Sequence, residues 1–105
     1  MEHNKLVRDN IPTIIENNGE KAVTRILSDE EYKDELFKKL LEESNEVITS
    51  SDSMLEELGD VLEVMIALAK TEDKSLDDII EIANKKRIKR GGFEKKIYLV
   101  KTYKK

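Results

Sequence analysis

Two acidic motifs lie in the middle of the chain, Glu42-Glu43-Ser44-Asn45-Glu46 and Glu57-Leu58-Gly59-Asp60, and each holds carboxylates three residues apart. On a helix, at about 100° per residue, that spacing puts both members of a pair on one face. Carboxylates that converge from two helices repel one another, and a divalent cation resolves the conflict. The donors are all oxygen, which suits magnesium or manganese and argues against zinc. Magnesium usually takes only one or two protein carboxylates together with waters and phosphates, so four acids leave the number of ions open. A di-iron bundle would want histidine at Glu-x-x-His spacing, but the only histidine, His3, lies in the N-terminal segment.

Where each acid points decides its weight. Leu36, Leu40 and Val47, with their neighbours Phe37, Leu41 and Ile48, form the apolar stripe of the first long helix. Glu43 falls only about 20° from Leu36 on the wheel, and Glu46 lies about one turn along on the same edge. Glu42 projects towards the opposite face, which makes it the weakest ligand of the set. On the next helix Glu57 points between Val64 and Leu68, inside the apolar arc, and Asp60 borders that arc beside Val64. Glu56 and Glu63 occupy the narrow polar side, where solvated glutamates belong. Packing the two helices antiparallel is expected to bring both pairs together.

Basic residues offer the other half of a phosphate site. Lys86 and Arg90 are four apart near the end of the last helix and share a face, and Lys5 and Arg8 lie in the N-terminal segment, anchored by Leu6-Val7. Either pair could clamp phosphate oxygens. Cations near a helix C-terminus are also favoured by the helix dipole alone, so position by itself does not decide between the two roles. Ser28, Ser53 and Ser75 read as helix caps, because no histidine is placed to activate a serine nucleophile. Met54 and Met65 read as core.

These side chains need helices to position them, and the punctuation supplies four. Asn10-Ile11-Pro12 opens a short helix that Asn17-Asn18-Gly19 closes. Ser28 with Glu31 has capping-box spacing ahead of a long helix that should run to about Thr49. Ser53 with Glu56 precedes a helix over Leu55–Ala69, and Ser75 with Asp78 precedes one from Leu76 to about Arg90, stopped by Gly91-Gly92. Ala22–Leu27 and Lys96–Tyr103, rich in β-branched and aromatic residues, suit two short strands that would pair. The expected architecture is mainly α, a helical bundle with those two strands near its N- and C-terminal parts, and one domain over residues 1–105.

Composition narrows the partners. Charged residues make up 40% and the net charge is -4, so no global basic field attracts a DNA or RNA duplex or an anionic membrane. Cysteine is absent, which removes disulfides and thiolate chemistry and fits a reducing interior. No apolar run approaches a membrane span, and the N-terminus lacks the apolar run of a signal peptide. A cytoplasmic location is the expectation. A helical chain of 105 residues often completes its core by self-association, so a homodimer or larger homo-oligomer is expected as well.

In combination these motifs resemble a known family. Lys39-Leu40-Leu41-Glu42-Glu43-Ser44-Asn45-Glu46 followed by Glu57-Leu58-Gly59-Asp60 is similar to the EExxE and ExxD signature of the all-alpha nucleotide pyrophosphohydrolases, the MazG-like and phosphoribosyl-ATP pyrophosphohydrolase group. Asn4-Lys5-Leu6-Val7-Arg8-Asp9-Asn10-Ile11-Pro12 and Lys86-Arg87-Ile88-Lys89-Arg90-Gly91-Gly92-Phe93 resemble its small single-domain branch. The resemblance implies that Glu43, Glu46, Glu57 and Asp60 hold magnesium, with manganese as a substitute, and that Lys86 and Arg90 contact phosphate, with Lys5 and Arg8 as further substrate-binding candidates. Asn10 departs from the lysine expected in this branch, which removes one candidate phosphate contact. The implied reaction is hydrolysis between the α and β phosphates of a nucleoside triphosphate, giving a monophosphate and pyrophosphate and clearing unwanted nucleotides from the pool. Glu43 or Glu46 would orient or deprotonate the attacking water, and the metal would acidify it. Two alternatives stand beside this: the histidine-pathway hydrolase acting on phosphoribosyl-ATP, and a non-catalytic helical interaction module whose acids are surface charge.

Overall fold

Serines start three of the four helices. In the computed structural model, which describes residues 1–50 and 53–105, the chain forms α1 (Ile11–Asn17), α2 (Asp29–Thr49), α3 (Met54–Thr71) and α4 (Leu76–Arg90). At α2 the Glu31 N–H donates to Ser28 Oγ and the Ser28 N–H donates to the Glu31 carboxylate, each at 3.2 Å, so two orphan donors of the first turn are satisfied reciprocally. At α3 the Glu56 N–H donates to Ser53 Oγ at 3.4 Å. At α4 the Asp78 carboxylate accepts from both the Ser75 N–H and its hydroxyl, 2.8 and 3.1 Å. These bonds hold the Asp78 carboxyl below the usual carboxylate range. Gly91 ends α4 at φ +84, a backbone conformation that favours glycine.

The Glu31 cap has a measurable signature. Arg25 donates two bonds to the Glu31 carboxylate, at 2.9 and 3.3 Å, and with the Ser28 N–H they pull its pKa down to about 2. A depressed carboxylate contributes stability that is fully present above its unfolded value, near 4.3, and is lost as pH falls through the folded value. Acid melts of the protein and of Glu31→Gln should therefore diverge above about pH 4.5 and converge towards pH 2. Because the group is solvent-exposed the difference is expected to be modest and to shrink in molar salt. Parallel curves across that window would rule out the cap as their cause.

α2 and α3 form an antiparallel hairpin. Lys33 near the start of α2 reaches Glu72, just past the end of α3, at 3.0 Å, while Glu43 in the second half of α2 meets the first half of α3. Leu36 from α2 with Val64 and Ala69 from α3 are the buried apolar residues, and Leu40, Val47, Val61, Met65, Ile66 and Leu68 are half-buried around them. The stripe read from periodicity is therefore only partly covered. Phe37, Leu41 and Ile48 on α2 are exposed, as are Leu55, Leu58 and Leu62 on α3. Met54, expected in the core, is also exposed, because it lies in the first turn of α3, beyond the buried centre of the hairpin. α4 touches α3 and buries none of its own residues.

The two expected strands do not form, and no strand occurs among the described residues, so the fold is all-α rather than α with a small β element. Two short strands alone are marginal without an apolar face to cover. Val23 and Ile26 are more than nine-tenths exposed, so the β-branched residues at the centre of the segment 22–27 have nothing to pack on. At the other end Lys96 takes φ +58 and its N–H closes a turn onto the Phe93 carbonyl, which breaks the extended run at its first residue. β-propensity records fitness for a half-buried pleated surface, and neither segment meets one.

The outcome is an elongated molecule. Its radius of gyration is 18.6 Å, against about 13 Å for a compact chain of this length. Its surface is 9,938 Å², against roughly 6,000 Å² for a compact monomer of this size. No helix among the described residues is long and apolar enough to cross a membrane.

Candidate metal centre

The hairpin delivers three carboxylates to one place. Glu57 and Asp60 are three residues apart and therefore share a face of α3, and antiparallel packing sets Glu43 of α2 opposite them. Each offers one carboxylate oxygen, and these oxygens lie within 4.8 Å of one another. All three side chains are half-buried, while Glu42, Glu56 and Glu63 are exposed. For these six acids the wheel positions and the observed burial agree. Glu46, expected as a fourth ligand, sits one turn further along α2, is exposed and is not among the clustered oxygens.

Like charges this close are costly. A pair of unit charges 4 Å apart repels by about 1 kcal/mol in water and about 4 kcal/mol at the effective dielectric near a protein surface. Two cations from the chain itself moderate the repulsion. The Arg8 guanidinium donates to Asp60 at 2.7 Å, from 52 positions away in sequence. Lys39, one turn before Glu43 on α2, places its ammonium 4.0 Å from Glu43 and 3.6 Å from Glu42. The second contact is readable from i,i+4 spacing, a signal that the motif-centred reading passed over. The first has only a faint signal, the apolar Leu6-Val7 beside Arg8, and these two residues are indeed half-buried.

The donor set fits a hard divalent cation: three carboxylates, no sulfur or imidazole, and oxygens close enough to share an ion. Some coordination positions would remain for water and phosphate oxygens. The basic residues of α4 stand apart from this cluster. Lys86, Arg87 and Arg90 with Gly91, Gly92 and Phe93 line an open groove of about 700 Å³. Among the described residues neither Lys86 nor Arg90 forms an ion pair with the clustered acids. Lys5 is exposed in the segment that carries Arg8.

Comparison with known proteins bears on the same stretch. Residues 31–92 match a family model described as the MazG nucleotide pyrophosphohydrolase domain. The match takes in Glu43, Glu46, Glu57 and Asp60 and runs to the glycines after α4. No curated protein and no solved structure matches the chain.

Proposed function

The chain belongs to the MazG nucleotide pyrophosphohydrolase domain family, and from that premise we propose that it hydrolyses the bond between the α and β phosphates of a nucleoside triphosphate, releasing a monophosphate and pyrophosphate. The observation that carries this reading is the convergence of Glu43, Glu57 and Asp60 from two helices. In it these three carboxylates hold Mg²⁺, or Mn²⁺ in its place, and Glu46 approaches from the next turn of α2. When bound, the cation supplies positive charge against the phosphates and acidity to a water.

The chain's own groups do the rest. Glu46, exposed and outside the cluster, is better placed than Glu43 to orient the attacking water and accept its proton. The water oxygen bonds to one phosphorus of the α–β bridge, the bridging P–O bond breaks, and the group on its other side, pyrophosphate or the nucleoside monophosphate, leaves without a covalent intermediate. Lys86 and Arg90 offer fixed positive charge to phosphate oxygens, and Lys5 and Arg8 offer it from the N-terminal side.

A second copy of the chain belongs to the same reading. The surplus surface, roughly 4,000 Å², is well above the ~800 Å² per partner of a standard interface. The exposed leucines of α3 and the exposed Phe37, Leu41 and Ile48 of α2 are the apolar part of it. A partner seated there would cover the exposed apolar residues of the hairpin.

Pyrophosphate release from a panel of canonical triphosphates, modified triphosphates and phosphoribosyl-ATP tests the reaction and its substrate together. Release is expected in Mg²⁺ and abolished by EDTA. If no member of the panel yields pyrophosphate in Mg²⁺, and Mg²⁺ leaves the melting temperature unchanged, the acids are not a metal site.

A further inference from the structure

Arg8 and Asp60 form the longest-range ion pair among the described residues, and one of its partners is a member of the carboxylate cluster. The contact is short, 2.7 Å, and charge-assisted. It is also local in its support. Leu6 and Val7 are half-buried on one side of Arg8, and on the other the Ile11 N–H donates to the Arg8 carbonyl at 3.1 Å, closing a turn into α1. The guanidinium is thus delivered to Asp60 by a docked segment. Of the groups around it, Lys39 faces Glu43 from α2, and Glu57 lies on the same face of α3 as Asp60.

We propose that Arg8 is the resident counter-cation of the carboxylate triad, held on Asp60 in place of a metal and exchanged off it when a divalent cation binds. The inference rests on the metal-site reading above. Its physical basis is competition: Asp60 Oδ1 already accepts from Arg8 at 2.7 Å, and a cation held by the same carboxylate would meet the repulsion of the guanidinium charge beside it. In this exchange metal binding breaks the ion pair, so Arg8 weakens metal affinity in the free protein. Once released, the same guanidinium sits at the mouth of the site with its donors open to a phosphate, and substrate recovers what the exchange costs. Arg8 is a positioning residue that makes cation and nucleotide bind more tightly together than singly.

The test is calorimetric titration of MnCl₂ into the full chain, wild type beside Arg8→Gln and Arg25→Ala. Arg25 pairs with Glu31 away from the cluster, so its substitution removes the same net charge without touching the triad. Arg8→Gln is expected to bind Mn²⁺ about two- to five-fold more tightly than wild type, the range set by an exposed ion pair, and Arg25→Ala to bind as wild type does. In wild type the Arg8 side-chain N–H resonance should also shift as MgCl₂ is added. Equal or weaker binding by Arg8→Gln, with wild type binding normally, overturns the exchange and leaves the metal site standing. Equal tightening by both variants overturns it too, as a net-charge effect. No Mn²⁺ binding by wild type or by Arg8→Gln removes the metal site itself. A damaged fold would weaken binding, so the expected gain in affinity cannot come from misfolding.

Discussion

Glu57→Gln is expected to lower magnesium-dependent pyrophosphate release by about two to three orders of magnitude, the loss typical when one charged group is removed from a preorganised electrostatic site. Glu57 is chosen because it is half-buried and its carboxylate lies among the clustered oxygens, on the face of α3 that meets Glu43. Glutamine keeps the side-chain shape and reduces the repulsion among three oxygens within 4.8 Å, so the fold is expected to survive. The activity loss should therefore come with an unchanged helical signal and a weaker Mn²⁺ titration. A variant with the wild-type rate in magnesium would remove Glu57 from the site.

Leu36→Ala is the largest expected blow to the fold. Leu36 is the most completely buried residue among those described, 3% exposed, and only Val64 and Ala69, each 8% exposed, join it as buried apolar residues there. Leucine-to-alanine in such a position costs about 2–5 kcal/mol, a large share of the 5–15 kcal/mol that holds a domain of ordinary stability. The measurement is urea denaturation at two protein concentrations separated by a factor of about fifty. If a second copy covers the hairpin, both proteins unfold at higher urea when concentrated, and Leu36→Ala remains below wild type at each concentration. A loss under about 1 kcal/mol would place the energetic centre of the core elsewhere.

The helices were legible because their starts are chemical. Ser28 with Glu31, Ser53 with Glu56 and Ser75 with Asp78 make local hydrogen bonds that need no tertiary partner, and all three helices begin within a residue or so of those serines. The strands at 22–27 and 96–103 were misread for the complementary reason. Their β-branched and aromatic residues specify a strand only if a sheet surface receives them, and among the described residues none does. The site shows the same divide. Glu43, Glu57 and Asp60 could be picked out by wheel position because helix geometry fixes which side chains face the partner helix. The pairing of Arg8 with Asp60 could not, since it depends on how the N-terminal segment folds back across α3. Glu46 shows what periodicity leaves open: it lies on the same edge of α2, yet one turn beyond the point where the two helices bring their acids together.

The antiparallel hairpin has a consequence for how the site comes into being. Glu43, Glu57 and Asp60 all fall within residues 43–60, a single helix–connection–helix unit. Contacts between neighbouring helices involve little loop-closure entropy and are made early, on the microsecond-to-millisecond scale of helical proteins. The acids are therefore gathered as soon as α2 and α3 meet, before any second copy arrives and independently of where the N- and C-terminal segments have gone. Their mutual repulsion opposes that first collapse, and Lys39, carried on the same helix as Glu43, is the counter-charge at hand. Substitutions at Lys39 should then slow folding as well as alter the charge balance of the finished site.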